Sequence, residues 1–303
     1  MNKLCNRVKT LMRDPFVLLS WGLQKVSPFI KDDAAFIKWE YFSVFHRFPS
    51  LTQPKTFAEK LQWIKLNDRK AIYHTMVDKY DAKALINSAI GGGYTIPTIG
   101  VWDNFDEIDF SQLPNQFILK CTFDSGTYYI CRDKSQLDVQ QAKSRLLLHW
   151  DTGYYMGHRE WQYKDLPKRI IAEPLIDDGK GSQLVDYKFY TFNGEPKVFY
   201  ITSNKGEGLH TCENFFDIEG NPIDLQDKHY PPNPIIPELP KSLDRMVEIA
   251  RILSKDTLSL RVDFYEVNGR LYVGELTFQE AAGYCEFAPS CWNRTLGDWL
   301  VLP

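Results

Sequence analysis

The sequence lacks any CxxC pair: its six cysteines stand apart at 5, 121, 131, 212, 285 and 291, and its six histidines do not complete a zinc spacing. A zinc module is therefore not expected. Long apolar runs are also missing. The one N-terminal apolar segment, DPFVLLSWGLQKVSPFI, has an uninterrupted run far short of the about 20 residues a membrane-spanning helix requires. It reads as an amphipathic helix packed on the body, with peripheral membrane contact as the sharper alternative. No secretory leader is apparent, so reduced thiols and a cytoplasmic location are expected. Neither sign of charge dominates: 36 Lys and Arg against 39 Asp and Glu leave a net charge of −3, with no general attraction for nucleic acid. There is no internal repeat and no low-complexity tail.

What is present is ample material for a core. Apolar residues make up 44% and aromatics 14% of 303 residues, enough for two ordinary domains or one composite one. Residues 1–70 read mainly as helix. In KTFAEKLQWIKLND, Phe57, Leu61 and Ile64 form one stripe. VDKYDAKALINSAI continues as helix to the stop at Gly91–Gly93. TIPTIGVW and NQFILKCTF are short extended runs, and SQLDVQQAKSRLLLHW is a helix. From RIIAEPLI onward the pattern is strands. LVDYKFYTFNGEPKVFYIT is a hairpin turning at Asn193-Gly194. A helix carrying Leu243, Met246, Val247, Ala250 and Leu253 follows, then LRVDFYEVNGRLYVGELTF, with a second Asn-Gly at Asn268-Gly269. Helices in front and antiparallel hairpins behind predict an α+β layered fold.

The last hairpin carries Arg261, Asp263 and Glu275 among alternating apolar residues. With a two-residue turn and an unbroken ladder, Glu275 pairs with Val262 and faces away from Asp263. With a three-residue loop, Val267-Asn268-Gly269, Glu275 pairs with Arg261 and all three charges share a face. Two carboxylates on adjacent strands repel unless a cation lies between them, which favours the second arrangement with magnesium held there. A surface ladder of salt bridges is the bland alternative. Upstream, Lys120 ends FILKC beside the turn TFDSGT, a sparse loop with the single Gly126. Glu173 sits inside the apolar run IIAEPLIDD, where a carboxylate needs partners. Asp186 and Lys188 share a strand face and could satisfy each other.

In order, MVDKYDAK, FILK, IIAEPLI, DYKFYTFNG and RVDFYEVNGRLYVGELTF resemble the TupA-like branch of the ATP-grasp superfamily, named for teichuronopeptide biosynthesis. The resemblance implies an ATP-grasp fold: a helical region at 1–78, a lid subdomain at 79–172 and a catalytic subdomain at 173–303, holding ATP and Mg2+ between the last two. It implies that Lys79 and Lys120 contact phosphates. Residues 122–127, with Ser125 and Gly126, would close over those phosphates. Glu173, Leu175 and Ile176 would lie at the adenine hinge. Asp186 and Lys188 would stand near ribose and phosphate, and Asp263 and Glu275 would hold magnesium. Arg261 would steady the transferring phosphate, making Arg261 and Lys188 the catalytic pair. Thr277 stands where the superfamily usually has Asn, as a third metal ligand. The implied reaction joins a small-molecule or saccharide carboxylate to an amine, with no nucleic acid as partner. A glycosyltransferase and a decayed ATP-grasp scaffold are the alternatives. Tyr154, Tyr155, His158, Arg159 and Trp161 form a candidate acceptor cluster, with packing against the body as the equally weighted role.

Overall fold

The structure, a computed structural model, describes residues 16–177, 184–205 and 210–303. Cys5 and the start of the expected helical region lie outside the described residues. Among those described, five α-helices come first: α1 (Val17–Val26), α2 (Asp33–Phe45), α3 (Phe57–Asn67), α4 (Ile72–Val77) and α5 (Asp81–Ile90). Their starts follow from side chains that satisfy the free N–H groups of the first turn. Asp32 accepts from the backbone of Ala34 and Ala35, and Thr56 and Glu59 form a reciprocal capping box. None of the helices is long and apolar enough to cross a membrane among the described residues. The five described cysteines are all unpaired.

A small antiparallel sheet follows, built from β1 (Gly100–Trp102), β2 (Phe117–Cys121) and β3 (Tyr128–Cys131), with α6 (Val139–Leu146), α7 (Tyr155–His158) and then β4 (Ile170–Pro174). Its strand order is β1-β4-β2-β3. Along β2 the period of two sends Phe117, Leu119 and Cys121 into a core shared with Ala142 and Leu146 of α6. Ile118 and Lys120 face the other way. β4 pairs with β2 as far as Pro174, placing Glu173 opposite Ile118 and so on the face of Lys120. The boundary expected after residue 172 falls inside this strand.

The remaining strands are β5 (Asp186–Phe192), β6 (Glu195–Ser203), β7 (Cys212–Asp217) and β8 (Gln226–Asp227). After them come α8 (Leu243–Ser254), β9 (Ser259–Val267), β10 (Arg270–Thr277), β11 (Phe287–Ala288) and α9 (Cys291–Trp299). Five of the strands form an antiparallel sheet in the order β10-β9-β5-β6-β7. Asn193 and Gly194, with φ of 49° and 86°, make the expected two-residue turn between β5 and β6. One sheet face is largely apolar: Phe189, Phe199, Phe216, Val262 and Phe264 pack under Met246, Ile249 and Ala250 of α8. Each such large side chain contributes about 1.5–3 kcal/mol on burial. The opposite face is divided. At one end Tyr190, Phe192, Val198, Tyr200 and Phe215 are covered by Phe57 and Leu61 of α3 and by Leu296 of α9. The other end carries charges and faces the small sheet across a cleft.

Candidate active site

The β9–β10 hairpin has a geometry that neither simple register anticipates. Val267 pairs directly with Arg270, so the turn is the two-residue Asn268-Gly269, with φ of 51° and 76°, and not the three-residue loop expected. The ladder then breaks between Val273 and Glu275, leaving Gly274 as the extra residue of a β-bulge. Beyond the bulge Glu275 stands opposite Asp263 and Thr277 opposite Arg261. The bulge undoes the inversion that the short turn imposes, and the four side chains share one face. Glycine is needed at the bulge because a Cβ there would lie 2.5 Å from Cε2 of Tyr265.

β5 supplies the next column of this face. Lys188 is opposite Asp263, and its Nζ donates to Asp263 Oδ2 at 2.5 Å. Arg261 grips the same carboxylate from Nε at 2.6 Å and Nη2 at 2.8 Å. The guanidinium also donates to Thr277 Oγ1 at 3.1 Å and to Glu280, and lies 3.7 Å from Glu275. Burial alone would raise the Asp263 carboxyl; Arg261 and Lys188 outweigh it and hold that carboxyl below the usual carboxylate range. Lys188 is likewise buried and flanked by Arg261, yet Asp263 and Asp186 raise it above an ordinary lysine. Asp186 and Lys188 do not simply satisfy each other. They are 4.0 Å apart, and Asp186 pairs instead with Lys205 at 2.7 Å.

Across the cleft, α5 and the small sheet contribute three lysines. Lys120 on β2 and Lys83 on α5 hold the two oxygens of Glu173 at 2.6 and 2.5 Å. Burial pushes Glu173 up, but Lys120 and Lys83 prevail and keep it below the usual range. Lys83 in turn is lowered by burial despite Glu173. Lys79, just before α5, donates to the backbone carbonyl of Asp124 in the β2–β3 turn. In that turn Asp124 is fully buried and accepts from Thr127, and burial raises its carboxyl. Ser125 and Gly126 form the tip, with Gly126 at φ 87°.

One cavity of about 380 Å³ brings most of these groups together. Lys79, Lys83, Lys120, Ser125, Gly126, Glu173, Lys188, Arg261, Asp263 and Glu275 all line it. A second cavity of about 370 Å³ shares Lys120, Tyr128, Glu173 and Tyr265 with the first and continues past Leu175, Ile176 and Asp186. Thr277 lines neither cavity; it reaches the site through Arg261. The pair suits a ligand with an apolar ring at one end and several negative charges at the other. Sequence reading missed Lys83, Glu280 and Lys205. Lys83 lies four positions after Lys79, and a carboxylate inside an apolar run, as Glu173 is, calls for such a partner.

Apart from Tyr154, whose side chain hydrogen-bonds Ser125 of the β2–β3 turn, the candidate acceptor cluster lies outside this site. Arg159, 1% exposed, donates to Ser27 Oγ and to the carbonyls of Ser27, Ile30 and Met156. Tyr155 donates to Asp33, His158 meets Glu40 at 2.7 Å, and Trp161 packs on His74. Tyr155, His158 and Arg159 fasten α2 and the segment before it to the body, and Trp161 packs on α4. Tyr154 packs against Tyr163 between them and the cleft.

Two carboxylates and a hydroxyl on one strand pair are hard oxygen donors of the kind a divalent cation takes, and here the Arg261 guanidinium and Lys188 hold the Asp263 carboxylate. No match was found among curated proteins. Among solved structures, a D-alanine–D-alanine ligase from Bacillus anthracis complexed with ATP is 17% identical, covering 67% of this chain and 55% of that one, with a TM-score of 0.42. The D-alanine–D-alanine ligase of Helicobacter pylori is 14% identical, covering 76% and 59%, with a TM-score of 0.44. D-alanyl-alanine synthetase A of Vibrio cholerae is 12% identical, covering 75% and 63%, with a TM-score of 0.43. This chain thus spans under two thirds of the length of each. Superpositions this loose leave the assignment to the family match. The family model described as TupA-like ATPgrasp matches residues 59–301, well over half of the sequence. That span holds both sheets and every lysine, arginine and carboxylate of the cleft, and the chain belongs to the TupA-like ATP-grasp family.

Proposed function

We propose that this protein is an ATP-dependent carboxylate–amine ligase working through an acyl phosphate. The observation that carries the reading is the convergence of Lys79, Lys83, Lys120, Lys188 and Arg261 with Asp263 and Glu275 on one cavity. Such a lining matches what phosphoryl transfer asks of a protein, which is positioning and neutralisation of charge. ATP would lie with its adenine toward Leu175 and Ile176 and its phosphates toward the lysines. Ser125 and Gly126 would cover the phosphates, and Asp186 would stand near the ribose. Asp263 and Glu275, with Thr277 beside them, would hold Mg2+. Such an ion would supply positive charge to offset that of the phosphates. Arg261 and Lys188, which both line the cavity, would offset charge on the transferring phosphoryl group. The substrate carboxylate would attack the γ-phosphorus and expel ADP, and an amine would then displace phosphate to leave an amide.

We further infer, from the family likeness, that the carboxylate belongs to a uronic acid of a capsular or other surface polysaccharide or its precursor. The amine would be an amino acid or amino alcohol, and the reaction would draw on cytoplasmic ATP. The test is to incubate the protein with Mg2+, ATP and pairs of uronic acids and amines while following ADP and phosphate. ADP release that needs both members of a pair supports the ligase. Nucleotide-sugar hydrolysis without ATP consumption points to a glycosyltransferase. No thermal shift with Mg2+ and ATP leaves a scaffold. Asp263→Asn and Glu275→Gln should each abolish turnover; unchanged turnover in either removes the metal assignment.

A further inference from the structure

A third cavity, of about 360 Å³, opens on the far side of Lys188 and Arg261. These two residues line both it and the phosphate-side cavity, so a group bound in either meets the same cations. Its floor is the same sheet face, carried two strands further. Thr202 on β6 is opposite Asp186, and Glu213 on β7 is opposite Thr202. Glu213 is 8% exposed and lines the cavity. Among the described residues no side chain or backbone group donates a hydrogen bond to its carboxyl, and none forms an ion pair with it.

We infer that Glu213 is the group that receives the amine substrate and takes its proton. This rests on the ligase reading above. An amine arrives as an ammonium ion and needs an anionic partner in a site otherwise rich in cations. The other groups facing Glu213 are already committed. Glu280 is held by Arg261 and accepts from Tyr200 at 3.3 Å. Lys205 is held by Asp186, and Lys188 by Asp263. Asp227, on β8, holds His229. Tyr200 and Tyr230 are neutral phenols whose ionisation burial pushes upward. Burial, then the charges of Glu280 and Asp227, push the Glu213 carboxyl up to about 8, against the pull of Lys188 and Arg261. A base of that strength is matched to the working pH, and an ammonium beside it favours the carboxylate form.

The ammonium gives one proton to a Glu213 carboxylate oxygen. The freed lone pair attacks the acyl carbon, a C–N bond forms, and the C–O bond to phosphate breaks. The second N–H proton leaves with the departing phosphate as hydrogen phosphate, and Glu213 returns its proton to water.

Hydroxylamine, largely neutral at neutral pH, needs no such base. With glucuronic acid and UDP-glucuronic acid as carboxylates, Glu213→Gln should lower ATP-dependent hydroxamate formation far less than amide formation. Amide formation with L-serine or ethanolamine should fall about 10²–10⁴-fold, with the deficit shrinking as pH rises. Equal loss of both activities, or loss of neither, overturns the assignment of Glu213 while leaving the ligase intact. Absence of hydroxamate from wild type with every carboxylate overturns the ligase reading and this inference together. A measurement free of substrate is the carboxyl 13C resonance missing from Glu213→Gln. It should titrate well above the about 4.3 of an ordinary glutamate, and titration at the ordinary value overturns the proposal.

Discussion

Replacing Gly274 by alanine perturbs the feature on which the shared face depends. The new Cβ would lie 2.5 Å from Cε2, 3.1 Å from Cδ2 and 3.5 Å from Cζ of Tyr265. Contacts that short cannot stand, and the ring has little room to yield, being packed with Ile96, Val267 and Tyr272. Closing the bulge instead would turn Glu275 toward the apolar side under α8, where a lone carboxylate costs far more. The ring must therefore shift, at the about 1–3 kcal/mol typical of overpacking. Because Tyr265 lines both nucleotide-side cavities, ATP should bind about tenfold more weakly, some 1.4 kcal/mol. Urea unfolding followed by fluorescence and circular dichroism measures the first effect, and calorimetric titration with Mg2+ and ATP the second. The decisive comparison is a cycle with Tyr265→Leu, which removes the obstructing ring edge. Gly274→Ala should cost less in that background by about 1 kcal/mol or more. If its cost is the same in both backgrounds within about 0.5 kcal/mol, the clash with Tyr265 does not explain the glycine.

Glu173→Gln should destabilise the protein by about 3–5 kcal/mol at neutral pH, because Lys83 and Lys120 then face each other in a buried site. The wild-type advantage is fully present above the unfolded carboxyl value of about 4.3 and lost as pH falls through the lower folded value. Melting temperatures of the two proteins measured from pH 7 to pH 3.5 should therefore converge in acid; a constant gap would contradict the pairing. Arg159→Met should cost about 3 kcal/mol, since it strips Asp33 of one cation, takes the guanidinium from the Ile30 carbonyl and leaves the Ser27 carbonyl with only the Ile30 N–H. Its ATP turnover per folded molecule should be unchanged, and a selective fall in turnover would return residues 154–161 to the active site.

Much of this arrangement is written locally. The period of two in DYKFYTF and LRVDFYEV fixes which residues share a face along each strand. Asn193-Gly194 and Asn268-Gly269 supply the left-handed residues that two-residue turns require. The helical spacing from Leu243 to Leu253 defines the side of α8 that covers the sheet. Lys79, Lys120, Glu173, Lys188, Arg261, Asp263 and Glu275 could be singled out by residue type and order alone. An isolated glycine inside a strand pattern is itself a bulge signal, so Gly274 could also have been read.

Tertiary structure decided the rest. Which strands lie side by side is set by long-range packing, and only the order β10-β9-β5-β6-β7 brings Lys188 against Asp263 and carries the face on to Glu213. Lys83 joins the site because α5 lies over the small sheet, a contact between segments about 90 positions apart in Lys83 and Glu173. Arg159 left the site because its guanidinium found the carbonyls of Ser27 and Ile30, which no local pattern announces. The bulge joins the two levels: the sequence supplied a glycine that permits it, and the ring of Tyr265 lying over that glycine made it necessary. A period of two determines sides only while the ladder is unbroken, and one inserted residue placed Glu275 with Asp263 instead of in the core.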